Sequence, residues 1–137
     1  MRARKFPQTD QSFNGVKDVT ASVTLTKQDA NKIVSINTTT ACVVTLPAVN
    51  AANKGTRYHI KLLQLPASGG HEIAPVAADK LFVSFASSTA AADDKSLFFG
   101  TDASGAGDKI GDFIVLVSDG VDGYHQVAGQ GSFFREA

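Results

Sequence analysis

A chain of 137 residues with 43% hydrophobic and 19% charged side chains has the balance of a single globular domain and not of a disordered segment. Thirteen basic side chains offset thirteen acidic ones. That excludes a whole-domain electrostatic grip on nucleic acid, which needs a basic surplus to displace phosphate counterions.

The N-terminus departs from this balance, with Arg2, Arg4 and Lys5 followed by Phe6-Pro7 and a polar run. No apolar h-region follows, so the segment does not read as a secretory signal. Residues 1–15 read as an extended N-terminal arm with point charges and one apolar anchor, either a frayed terminus or an arm that reaches onto a partner. Residues 16–137 form the body. No run in it approaches the ~18 apolar residues of a membrane span.

Within the body the dominant signal is period-two alternation. Val19 to Thr26 alternates apolar and hydroxyl residues, as one strand with a wet face would. Asp29 to Lys32 has the length of a single helical turn. Ile33 to Ile36 and Cys42 to Leu46 follow, the second stopped by Pro47, which cannot donate to a ladder. Tyr58 to Leu62 alternates cleanly, and the adjacent Leu62-Leu63 shifts the phase, which predicts a β-bulge or a strand leaving one sheet for another. Pro66 to Gly70 is a turn by composition. Short β segments are expected around Glu72-Ile73, Leu81 to Phe85 and Leu97 to Phe99. Ala90 to Lys95 is a weak helical turn, and Thr101 to Asp108 is small, polar and flexible in composition. Asp112 to Val117 and Tyr124 to Val127, joined by the Gly/Asp turn Ser118 to Gly123, give the best hairpin signal. About eight or nine short strands predict an all-β sandwich or a jelly-roll-like barrel, and no sequence repeat has solenoid spacing.

The chemistry-bearing residues form no known motif. His59, His71 and His125 lie far apart, without metal-ligand spacing. The lone Cys42 allows neither an internal disulfide nor a multi-cysteine metal site, and within an apolar run it reads as a buried small hydrophobe. Gly105 to Gly111 departs from a dinucleotide loop in its third glycine and in lacking a following helix. Asp93-Asp94 and the Asp119/Asp122 pair read as solvated turn carboxylates, since acid catalysis would need one of them desolvated. No nucleophile elbow occurs. The expectation is a protein with no catalytic, cofactor-binding or metal residues. At the C-terminus Phe133-Phe134 would be costly to leave in water, so the pair either folds back on the core or fills a neighbouring subunit at an oligomer interface.

The order of segments carries a resemblance. It runs from Val23-Thr24-Leu25-Thr26 through Lys32 to Ile36, Thr40 to Pro47, Gly55 to Ile60 and Gly69 to Ile73, and closes with Gly111 to Ile114 and Gly123 to Val127. Over about residues 19–128 this cadence resembles the small β-rich head decoration, or capsid cement, proteins of tailed bacteriophages. It is also similar to that of phage tail and fibre modules. The resemblance implies a β-sandwich or jelly-roll-like body, usually trimeric, made in the host cytoplasm and seated on the capsid exterior where major capsid subunits meet. Its partners would be the major capsid protein and copies of itself, with no nucleic acid or membrane. Arg2, Arg4, Lys5 and Phe6 would form the capsid-binding arm, and Phe133 and Phe134 the oligomer interface. The alternative is a tail-fibre or receptor-binding β-domain that contacts host glycan. A small β-fold hydrolase or lyase is a third reading, disfavoured for want of an acid/base pair. Glycan sites favour exposed Trp and Tyr platforms, and this chain has no Trp and only Tyr58 and Tyr124.

Overall fold

The computed structural model describes residues 15–76, 78–83 and 95–136. Arg2, Arg4, Lys5 and Phe6 of the expected arm lie outside the described residues, as do Phe85 and most of the expected turn at Ala90 to Lys95. The described chain is essentially all-β. Its strands are β1 (Val16–Val19), β2 (Val23–Thr24), β3 (Ile33–Ile36), β4 (Val43–Thr45), β5 (Arg57–Leu62), β6 (Glu72–Ala74), β7 (Lys80–Phe82), β8 (Leu97–Phe99), β9 (Phe113–Ser118), β10 (Gly123–Gln130) and β11 (Phe133–Arg135). Among the described residues the only helical segments are single 3-10 turns at Lys27–Asp29 and Ala51–Asn53. None is long and apolar enough to cross a membrane.

Two mixed sheets form, in the orders β1-β3-β5-β9-β10-β7 and β11-β8-β6-β4-β2. Through β6 the chain alternates between them strand by strand, and each strand lies parallel to the one laid down a turn earlier in the same sheet. The first six strands therefore make three coils of a flattened spiral. Its inner face is a set of apolar stacks, with Val19, Ile36 and Leu62 in register in one sheet and Val23, Val44 and Ile73 in the other. The second half closes the spiral. β9 pairs antiparallel with β5, β8 antiparallel with β6, and β10 lies between β9 and β7.

Five of the nine ladders among the described residues are parallel. A jelly roll is built from antiparallel Greek keys, so the parallel winding departs from the jelly-roll-like arrangement expected of the sequence. One apolar cluster joins the sheets. It draws Val34, Ile60, Leu81, Ile114 and Leu116 from the first and Val44, Ile73, Leu97 and Phe99 from the second. Tyr58 and Tyr124 meet edge to face within it, ring centroids 6.0 Å apart. Each buried phenol keeps a partner, as such groups must: Tyr58 Oη donates to Thr26 O at 3.0 Å and Tyr124 Oη to Pro47 O at 2.8 Å.

Two local expectations change, and a third resolves between its alternatives. Val19 to Thr26 is not one strand, because the chain turns from one sheet to the other at residues 20–22, where Ser22 Oγ accepts the Val43 N–H at 2.9 Å. Both sheets face the same core, so Val19 before the corner and Leu25 after it both point inward, while Ala21 at the corner itself is exposed. Of the two readings of the Leu62-Leu63 phase shift, the second holds: β5 ends at Leu62 and the chain leaves the six-stranded sheet for β6 in the other, with Leu62 fully buried, Leu63 45% exposed and the amides of Leu63 and Gln64 both donating to Ile36 O. A bulge occurs in β10, between Gln126 and Ala128. Finally, the loop from Thr101 to Asp108 is knitted internally. Asp102 Oδ1 accepts from the amides of Ser104 and Ala106 and from the Ser104 hydroxyl, and Thr101 N donates to Ala106 O.

The two tail phenylalanines lie in β11, an edge strand of the second sheet, so period two sends them to opposite faces. Phe133 is 1% exposed and packs on Phe99, centroids 4.9 Å apart. Phe134 is half-buried on the outer face beside Phe98 at 6.5 Å. Of the pair expected at an oligomer interface, Phe133 is consumed by the chain's own core, and only Phe134 has surface to offer a neighbour.

Candidate interaction surface

The same alternation that points Tyr58, Ile60 and Leu62 into the core turns Arg57, His59 and Lys61 to the outer face of the six-stranded sheet. Register aligns Ile33, His59 and Val115 in one row and Ser35, Lys61 and Phe113 in the next. A third row runs Arg57, Val117, His125 and Phe82. His59 and Phe113 pack with ring centroids 5.0 Å apart, and His125 stacks on Phe82 at 4.4 Å and 15°. Phe82, Phe113, Val117 and Ile33 are all half-buried on a face that the second sheet does not cover.

Around these apolar groups stand Arg57, Lys61 and Lys80 with the two imidazoles. Carboxylates near this face include Asp18, on the edge strand, and Asp119, in the hairpin turn beside His125. Burial, and then the nearby Lys61 ammonium, lower the His59 pKa, which favours its neutral form. The result is a surface of aromatic and aliphatic side chains bordered by three basic ones.

Asp119 belongs to the hairpin. Its Oδ1 accepts the amides of Val121, Asp122 and Gly123 at 2.8, 2.7 and 3.1 Å, and its Oδ2 lies 2.8 Å from His125 Nε2. Desolvation alone would raise this carboxyl, but the hydrogen bonds from Val121, Gly123, His125 and Asp122 outweigh it and hold the pKa well below the usual carboxylate range. The associated stability is present above the ordinary carboxyl value and fades as pH falls toward the lower folded one. Asp119→Ala should cost about 1 kcal/mol, since three turn amides lose a charged acceptor and two of them, on exposed Val121 and Asp122, remain near water. Urea melts at pH 7 and pH 3 check this. An equal loss at both pH values would contradict the assignment.

The third histidine sits at a corner of the spiral. His71 is fully buried, its Nε2 3.2 Å from both Thr38 O and Gln64 O, and its Nδ1 3.3 Å from Cys42 N and 3.4 Å from Cys42 Sγ. Two carbonyls at Nε2 require the proton there, and Nδ1 then accepts the Cys42 amide. Burial lowers the imidazole pKa and raises that of the thiol. A nucleophilic cysteine needs an accessible thiolate. Cys42 is 3% exposed and neutral, so the pair is a staple that ties the β3–β4 corner to the β5–β6 corner. The sequence signal for it was a histidine placed directly after Gly69-Gly70 and directly before a strand.

Among the described residues no three His, Cys, Asp or Glu side chains converge in a metal-binding arrangement. Comparison with protein-family models, with curated proteins and with solved structures yields no match for this chain.

Proposed function

We propose that this chain is a structural protein of a tailed-phage virion, a head decoration protein whose β-sandwich body seats on the capsid exterior. The observation that carries the reading is the outer face of the six-stranded sheet, where half-buried aromatic rings are interleaved with Arg57, Lys61 and Lys80. Aromatic side chains and Arg are enriched at protein–protein contacts, and a basic face selects a partner of opposite charge. The matching surface is a carboxylate-rich patch of the major capsid protein. Arg2, Arg4, Lys5 and Phe6 extend the same chemistry as an arm along it, and Phe98 with Phe134 forms the apolar contact through which copies associate into a trimer.

The glycan-binding alternative loses support from the tyrosines. Both are buried in the core with their hydroxyls bonded to backbone, so neither serves as a sugar platform.

The test is occupancy on emptied, undecorated phage heads. Arg57→Glu with Lys61→Glu should lower occupancy about tenfold or more at physiological salt, where exposed charges act over about 8 Å, and leave the thermal melt unchanged. Undiminished occupancy by the folded variant would remove the face from the interaction. Failure of the wild-type chain to bind heads at all would overturn the reading.

A further inference from the structure

The 3-10 turn at Lys27–Asp29 and the end of the turn at Ala51–Asn53 flank a recess of about 420 Å³. Its polar lining comes from Lys27, Gln28, Asn31, Lys54 and Thr56, and none of its lining residues is acidic. The nearest carboxylate in sequence, Asp29, is buried and already matched. Lys17 Nζ lies 3.5 Å and Lys32 Nζ 4.0 Å from its Oδ1, and its Oδ2 accepts the Thr26 amide at 2.9 Å. The two lysines of the recess are therefore not neutralised by it.

The backbone around the recess is committed. Asn31 N donates to Arg57 O, Gly55 N to Ser118 O and Thr56 N to Asn53 O. The side chains are not. Among the described residues no hydrogen bond engages the side chains of Gln28, Asn31, Lys54 or Thr56, and Lys27 Nζ makes only a long 3.4 Å contact to Ala52 O across the recess. Lys54 is held in place at its base, where its Cβ packs so closely on Gly120 that a side chain there would meet it at 2.8 Å.

We propose that this recess binds a small oxyanion, a phosphate or carboxylate group, between the Lys27 and Lys54 ammonium groups, with Gln28, Asn31 and Thr56 as neutral donors. A concave site lined by one sign of charge focuses its field on a counter-ion, and ammonium–oxyanion hydrogen bonds are about twice as strong as neutral ones. Carboxylate and phosphate share this acceptor chemistry. A carboxylate could come from a protein partner's side chain, and a phosphate from solution.

The experiment is a titration of the full chain with inorganic phosphate at constant ionic strength, read at the backbone amides of Asn31, Gly55 and Thr56 by NMR, with glutarate in a parallel arm. Saturable shifts confined to the recess are expected. Lys27→Ala with Lys54→Ala should weaken them at least about tenfold, equivalent to about 1.4 kcal/mol, at an unchanged melting temperature. Single Lys→Gln variants, which keep the side-chain length, should give intermediate losses and guard against a packing artefact. Glutarate binding as tightly as phosphate would point to a partner's carboxylate, and a phosphate preference of about tenfold or more to a free phosphate. Non-saturating shifts spread over all lysines, or shifts unchanged in the double variant, would overturn the proposal.

Discussion

His71→Ala is expected to lower the free energy of unfolding by about 3–5 kcal/mol, a loss reserved for buried networks and large cavities. The substitution empties a fully buried site and strips the imidazole from Thr38 O, Gln64 O and Cys42 N together. Each buried polar group left unmatched costs about 1–3 kcal/mol, and the corners they belong to hold successive coils in register. Equilibrium urea unfolding with an unchanged slope measures the loss. A change under about 1 kcal/mol would mean that water or the backbone replaces the ring.

The same residue sets an acid limit. Folded His71 has its pKa lowered by burial, so as pH falls below the ordinary value of 6.5 the unfolded chain takes up a proton that the folded chain refuses. Stability should thus be full above pH 6.5 and decline from there down to the lower folded value. His59 titrates in the same direction, so His71→Ala should reduce this slope without abolishing it.

Gly123→Ala should be comparably damaging for a different reason. Gly123 opens β10 directly against the parallel strand β7, and a Cβ there would overlap Lys80 O and lie 2.7 Å from Lys80 C and N. Backbone cannot swing aside as a flexible side chain does, so the β7–β10 ladder must part. A loss of about 3 kcal/mol or more is expected. Hydrogen exchange should show the amides of Lys80 to Phe82 losing protection before those of β3 and β5. Uniform loss across both sheets would contradict a local clash.

What the sequence disclosed follows from the range of the interactions involved. The hairpin from Phe113 to Gln130 was legible because its turn residues sit beside its strands, and Asp119 caps three amides within four positions of itself. The parallel winding was not. In one sheet the stacked residues Val19, Ile36 and Leu62 are separated by steps of 17 and 26, and in the other Val23, Val44 and Ile73 by steps of 21 and 29. A coil whose corners vary in length leaves no period for a repeat search to find. The tail was half legible. Two adjacent aromatics in a strand must face opposite ways, and that rule applied to Phe133 and Phe134 separates core from surface without a structure. For the candidate surface, His59, Lys61 and Arg57 were recognisable as the wet side of one strand. Their alignment with Phe113, Val117, His125 and Phe82 depends on ladders closed by residues up to sixty positions away.

The coincidence of winding order with chain order gives this molecule a direction of assembly. A nascent chain emerging N-terminus first lays each strand of the spiral from β3 onward on one already made, and by Ala74 each sheet has three strands in place. The cap arrives later, with β8 closing on β6 and β9 on β5. Until then β5 and β6 present two adjacent bare edges, backed by Ile60, Leu62 and Ile73, to any other unfinished chain nearby. Slow elongation past Ala74 would lengthen that exposure, and crowded ribosomes on one message would bring the complementary edges together.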